Sequence, residues 1–312
     1  MNMIEGQMPV YPSGPVDRTD RPGRARDLAV SFEFFPPRQA DLLPGFWGAA
    51  ADLAALAPRF ISVTYGAGGS TRDQTRELVV EIQNRCGVPA AAHLTCVDAT
   101  RDEIDAIADS YWQAGIHRLV ALRGDPKAGI AAGYHPTEGG YPYADALVAG
   151  LARQHPFDIS VAAYPEVHPQ APSAQADLDH LKRKVDAGAT RAITQFFFDV
   201  DCYKRFIDRA TRAGINVPIV PGILPIRNLA RTATMAAACG ARIPDAVRAR
   251  FDGVDHDPQG RQQAALEIAI AQCQALLRAG VKHFHFYTLN QAELVRDICA
   301  EIGLVSPLLG AR

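Results

Sequence analysis

Between Leu28 and Leu304 the chain repeats one pattern: a short apolar run, then a stretch with helical spacing. Strand-like runs fall at Val30–Phe35, Phe60–Tyr65, Ala90–Leu94, Arg118–Leu122, Ile159–Ala163, Arg191–Phe197, Pro218–Pro221 and His283–Tyr287. Helical patterns separate them over Phe46–Leu56, Arg72–Arg85, Arg101–Ala114, Ala144–Arg153, Ala174 to the turn at Gly188, and Cys202–Ala213. Three more, Ile226–Cys239, Pro244–Phe251 and Gln259–Ala279, precede the last strand, and Gln291–Ile302 follows it. Strands alternating with helices predict a parallel sheet covered by helices. Eight such units match a closed (β/α)8 TIM barrel, an α/β fold, here with extra helices before the eighth strand. An open doubly wound sheet is the alternative, but no G-x-G-x-x-G follows the first strand, so its dinucleotide-binding form loses its main support.

Composition narrows the function. Of 312 residues, 48% are hydrophobic, enough for a large core, and the net charge of -2 disfavours a nucleic-acid surface. Cys86, Cys96, Cys202, Cys239, Cys273 and Cys299 contain no C-x-x-C pair, which suggests reduced thiols, no zinc site and a cytoplasmic setting. No apolar run is long enough for a membrane span. Residues 1–27, rich in Pro, Gly, Arg and Asp and without a signal-peptide core, read as a flexible N-terminal tail, and residues 28–312 as one catalytic domain.

A barrel keeps its chemistry at the C-terminal ends of its strands. Those ends are polar here: Glu33, Thr64, His93, Arg123 with Asp125, Tyr164 with Glu166, Gln195, and Tyr287. One such residue is readily a satisfied core group, but the same trait on seven strands predicts convergence on a pocket. Glu33 lies among Phe32, Phe34 and Phe35, so desolvation is expected to raise its pKa and suit it to general acid work; a water-facing or Arg-paired Glu is the plainer reading. Gly66–Ser70 and Gly124 permit close backbone approach to a flat or anionic ligand, a weak signal alone. Asp125 reads equally as a catalytic carboxylate or a salt-bridge partner.

On the helix from Ala174, Leu178, Leu181 and Val185 make the apolar stripe, while Asp177, His180, Arg183 and Lys184 lie off it. The cations with Asp177 would suit a pyrophosphate and a ribose; a solvated face is as good a reading. His283 and His285 form an H-x-H pair, on the wrong strand for a zinc barrel, so a structural role is favoured. Asp252, Asp255 and Asp257 lack the spacing of a calcium loop.

Eight segments, in order, resemble the methylenetetrahydrofolate reductase family. They are Phe32–Pro37, Val63–Ser70, His93–Cys96, Leu122–Pro126, Ala163–Pro169, Thr194–Asp199, Pro221–Pro225 and Phe284–Asn290. The resemblance implies a barrel holding FAD, and a ping-pong reduction of 5,10-methylenetetrahydrofolate to 5-methyltetrahydrofolate with NADH (or NADPH). It implies Glu33 as the acid, Asp125 beside the pterin and flavin, and Gln195 on the pterin. It implies FAD contacts at Thr64, His93, Arg123, Gly124, Asp125, Tyr143, Tyr164, Asp177, His180, Arg183, Lys184 and Tyr287. It also implies a homo-oligomer, with no nucleic-acid or membrane partner. The chain departs from the family pattern at Leu229, where an aromatic stacks on substrate, at His180 in place of an asparagine, and at Gln291 in place of an arginine. Rival readings are another flavin barrel resembling proline dehydrogenase, a metal-dependent barrel hydrolase, and a non-catalytic folate- or flavin-binding barrel.

Overall fold

The computed structural model describes residues 28–66, 72–126, 133–254 and 256–304. The expectations for the N-terminal tail, for Gly68–Ser70 and for Asp255 fall outside them. Nine strands form one all-parallel sheet: β1 Ala29–Phe34, β2 Ile61–Val63, β3 Ala90–Thr95, β4 Arg118–Leu122, β5 Asp158–Ala163, β6 Arg191–Thr194, β7 Ile219–Val220, β8 Gly222–Ile223 and β9 His283–Tyr287. Their order is β7-β6-β5-β4-β3-β2-β1-β9-β8. β7 and β8 are halves of one strand, broken at Pro221, which has no N–H to give to a ladder. The first half pairs with β6 and the second with β9, so the sheet closes into the expected barrel. The Pro221 carbonyl stays in use, accepting from His285 N at 3.0 Å.

Between the strands run α1 Leu43–Ala54, α2 Arg72–Cys86, α3 Arg101–Gln113, α4 Ala144–Gln154, α5 Ala174–Asp186 and α6 Val200–Arg212. α7 Leu229–Cys239, α8 Asp245–Arg248 and α9 Pro258–Arg278 precede β9, and α10 Glu293–Glu301 follows it. The caps are legible in the residues. Thr100 and Glu103 make a reciprocal capping box on α3. Ser173, Asp199, Asn228 and Asp257 each accept a first-turn N–H of the following helix.

The strands alternate inward and outward. Phe32 and Phe34 face the helices, Phe34 edge-on to Phe46 of α1 at 5.4 Å, and belong to the main apolar core. A second, small cluster of Phe60, Ala91, Val120 and Ile193 lies inside the barrel. Polar groups share that interior. The Arg191 guanidinium sits 5.5 Å from the Phe60 ring centroid and donates to Ser160 and Asp158. Arg118 pairs with the same Asp158. Burial pushes the Asp158 carboxyl up, but Arg191, Thr190 and Arg118 outweigh it and hold it below its ordinary range.

The predicted sixth strand, Arg191–Phe197, ends early, at Thr194. Past that point Phe196, Phe197 and Phe198 are all buried, so the chain no longer alternates faces. Among the described residues no helix is long and apolar enough to cross a membrane, and no three His, Cys, Asp or Glu side chains are grouped to hold a metal ion.

The break at Pro221 places a tight demand on the next residue. A Cβ on Gly222 would lie 2.2 Å from the Thr194 carbonyl oxygen and 2.6 Å from the Tyr287 ring. Gly222→Ala should therefore lower stability by about 1–3 kcal/mol, the range for forced overpacking, read as a fall in the urea midpoint with unchanged slope.

Candidate active site

Two adjoining cavities open at the C-terminal ends of the strands, and they share Leu122, Ala162 and Tyr164. The inner one, about 420 Å³, has Glu33, His93, Gln195 and Tyr287 in its wall. Apolar side chains, among them Val120, Leu122, Ile193 and Leu224, line much of the rest. The outer one, about 580 Å³, takes Arg123, Gly124, Asp125 and Tyr143 from the β4 side and Asp177, His180, Arg183 and Lys184 from α5. The helix face that reads as either solvated or ligand-directed is thus a cavity wall, with Leu178 and Leu181 buried behind it.

Glu33 does not have the environment its sequence neighbours suggest. Phe32 and Phe34 lie on the opposite face of β1, and of the three rings Phe34 and Phe35, at the strand end, contribute to the cavity wall. The inward neighbours of Glu33 are imidazoles. His93 Nε2 stands 3.3 Å and His285 Nε2 3.4 Å from its Oε2. Burial pushes the carboxyl up, but the charges and hydrogen bonds of His93 and His285 together outweigh it and hold the pKa at about 2. The expected raised pKa is therefore corrected: Glu33 is a carboxylate near neutrality. His285 Nδ1 in turn lies 2.8 Å from Ser31 Oγ, which is 3.1 Å from His283 Nε2. The H-x-H pair thus forms the support beneath the Glu33 carboxylate.

The remaining inner groups are held in place. Tyr287 donates to the Thr194 carbonyl at 2.7 Å, and burial raises its pKa well above the ordinary phenol value. Burial, with Asp125 adding to it, pushes Tyr164 up to about 12. Both phenols therefore stay protonated near neutrality. Gln195 accepts from the N–H of Phe196 at 3.0 Å, which settles one of its amide groups and leaves it on the cavity wall.

In the outer cavity Gly124 has φ +83°, and a Cβ there would meet Val97 at 2.5 Å. Only glycine allows Arg123 and Asp125 to crowd together, 3.4 Å apart. Arg123 is further fixed by Gln170 at 2.6 Å and by the Tyr134 ring, 4.7 Å away. Burial pushes Lys184 down to about 8 against the pull of Asp177 and Asp145, and its Nζ donates to the Ala162 carbonyl at 2.5 Å. Asp177 also accepts from His168 N at 3.0 Å.

Some expected site residues lie elsewhere. Thr64, Leu229 and Gln291 line neither cavity among the described residues. Thr64 extends the sheet, donating to Phe34 O at 2.8 Å, and Leu229 begins α7. The far wall of the inner cavity comes instead from Leu224 and from Met235, Ala238 and Cys239 on the α7 face. Glu166 turns away, its carboxylate accepting from Arg242 N at 2.9 and 3.1 Å. Tyr134, His168 and Gln170 join the outer wall from loops that show no periodicity to read.

A family model described as methylenetetrahydrofolate reductase matches residues 18–303. The 5,10-methylenetetrahydrofolate reductases of Pectobacterium carotovorum and Escherichia coli are each 51% identical over 279 residues, 89% of this chain and 91% of theirs. A Zea mays relative, methylenetetrahydrofolate reductase (NADH) 1, is 35% identical over 89% of this chain and 48% of its own. Among solved structures, an uncharacterized Clostridium thermocellum protein whose description says it binds 5-methyltetrahydrofolic acid shares the fold, with TM-score 0.59 and 12% identity over 88% of this chain and 94% of that one.

The two imidazoles set the titration of Glu33. In a selectively labelled protein, the carboxyl ¹³C resonance of Glu33 should stay in its ionised position as pH falls past 4.5, its ordinary value, and titrate near 2. The stability that ionisation confers is then full above about 4.5 and lost as pH falls through about 2. His93→Ala leaves desolvation less opposed, so the midpoint should rise by roughly one unit or more.

Proposed function

This chain belongs to the methylenetetrahydrofolate reductase family, and we propose that it reduces 5,10-methylenetetrahydrofolate to 5-methyltetrahydrofolate by a ping-pong reaction using FAD and NADH (or NADPH), in one-carbon metabolism and methionine supply. The observation that carries the reading is the Glu33 carboxylate bracketed by His93 and His285 in a cavity that also presents Gln195. The NADH in the plant relative's name supports the donor.

The residues present fit FAD. The apolar inner trough suits a flat ring system, and the outer wall supplies Arg123, Arg183 and Lys184 for phosphates. His93 Nε2, buried and 3.3 Å from Glu33 Oε2, fixes the carboxylate at the edge of that trough. When bound, FAD supplies a two-electron carrier that takes a hydride from the nicotinamide and gives one to the folate.

The protein's own part in the folate step is a proton and a charge. Opening the imidazolidine ring of the substrate needs a proton on the departing nitrogen and leaves an iminium cation. Glu33, ionised in the free protein, is the group placed to take up a proton and pass it to that nitrogen rather than to store one in a greasy pocket. Asp125, half-exposed and tethered to Arg123, offers the negative charge that steadies the cation. Gln195 orients the pterin by hydrogen bonding.

The direct test is optical. NADH should bleach the flavin spectrum of the purified protein and methylenetetrahydrofolate should restore it; a flavin reduced by NADH that the folate leaves reduced would defeat the reading. Glu33→Gln should keep FAD and NADH-driven bleaching but slow the folate step by about a hundredfold or more, the usual worth of general acid catalysis. Equal loss in both half-reactions, measured by stopped flow, would remove Glu33 from that role. The phosphate end has its own signature. Lys184 loses its charge as pH rises through about 8, so FAD affinity in the apoprotein should weaken above that pH, and Lys184→Met should flatten this dependence.

A further inference from the structure

The mouth of the inner cavity carries the most unusual backbone in the protein. β1 and β9 run in register to the pair Glu33 and Tyr287. Beyond it the two chains stay stitched together by side chains. Thr288 donates to the Glu33 carbonyl twice, from N at 3.2 Å and from Oγ1 at 2.7 Å. Leu289 and Asn290 then have φ of +50° and +59°, the only consecutive non-glycine pair with positive φ among the described residues. Leucine avoids this conformation, and such strain persists only where the surroundings impose it.

Asn290 supplies the constraint. Its Oδ1 accepts from Phe35 N at 2.9 Å and its Nδ2 donates to Phe35 O at 2.8 Å. The amide thus satisfies both backbone groups of Phe35, as a neighbouring strand would. Its own N–H is tied to Thr288 Oγ1 at 3.1 Å, so the rung is anchored at both ends. The side chains on either side of this rung, Phe35 and Leu289, both line the cavity beside Glu33 and Tyr287. Phe35 remains 38% exposed, an unusual cost for a phenylalanine that only packed the core.

We infer that Asn290 is a positioning residue: its amide adds a side-chain rung to the β1–β9 pairing and so holds Phe35 and Leu289 as two apolar jaws that grip the flat aromatic part of a reactant entering the cavity. The identity of that reactant, a folate or a nicotinamide donor, rests on the function proposed above; the rung does not. Asparagine suits the task because a neutral amide both donates and accepts. An ionised aspartate can only accept, and it would face the Phe35 carbonyl without a proton. A protonated aspartate restores the pattern.

The test compares Asn290→Ala and Asn290→Asp in the FAD-loaded protein. Two quantities are read: hydrogen exchange at the Phe35 amide, and KM and kcat for methylenetetrahydrofolate. In Asn290→Ala, Phe35 should lose protection while the Thr288 amide keeps its own. KM should rise about tenfold with kcat within about twofold, the mark of lost positioning rather than lost chemistry. Asn290→Asp should match Asn290→Ala at pH 8 and move toward wild type at acid pH, where Asn290→Ala does not recover; it also serves if the alanine variant fails to fold. An unchanged KM despite lost protection, or a fall in kcat and bound FAD with KM unmoved, overturns the jaws. A wild-type protein inert toward the folate would instead overturn the function proposed above, and the KM for NADH with an artificial acceptor would then be read in the same way.

Discussion

A closed parallel sheet has one inward face, and every second residue of every strand must share it. That constraint decides the chemistry of this protein. On β1 it sends Phe32 and Phe34 out to the helices and Ser31 and Glu33 inward. On β9 it sends Phe284 and Phe286 into the main core and turns His283, His285 and Tyr287 toward Ser31, Glu33 and the inner cavity. The meeting of these two inward rows builds a ladder of polar groups, His283, Ser31, His285, Glu33 and His93, rising to the mouth. Small residues elsewhere, such as Ala91 and Ala162, leave room beside it.

The electrostatics follow from the same packing. A carboxylate in a poorly solvated place is costly unless paired. Two imidazoles within 3.4 Å stabilise it as the carboxylate. The outer cavity solves the opposite problem. Lys184 and Arg183 line it from α5 with Asp177 and Asp145 close by, so its cations are held beside carboxylates.

Much of this was readable from residue order. The βα alternation located every strand except β8, which lies just past the expected seventh run of Pro218–Pro221, and β4 and β9 match their expected bounds. The polar strand ends led to the wall of both cavities, and the amphipathic spacing of α5 separated its buried stripe from its cavity-facing side. What failed did so for a physical reason. Glu33 was judged by residues beside it in the chain, whereas its field is set by strands beside it in the sheet. Glu166 is polar at a strand end yet its carboxylate accepts from the backbone, Arg242 N, while Thr64 continues the sheet through its main chain, Thr64 N to Phe34 O. Leu229 opens α7 and Gln291 precedes α10 by two residues, edges where the helical period does not say which way a side chain points. Tyr134 and Gln170 come from irregular loops, whose paths no periodicity encodes.

The proline that splits the seventh strand leaves two short ladders where other strands have one longer run. Cross-ties reinforce that seam: Gly222 N to Thr194 Oγ1 at 2.9 Å, and the Tyr287 hydroxyl to the Thr194 carbonyl. The cylinder is thus fastened by a clasp, and the clasp is also a wall of the chamber it encloses. The bond between Thr194 and Tyr287 therefore serves two ends at once, tying the seam of the cylinder and fixing a residue of the chamber's wall.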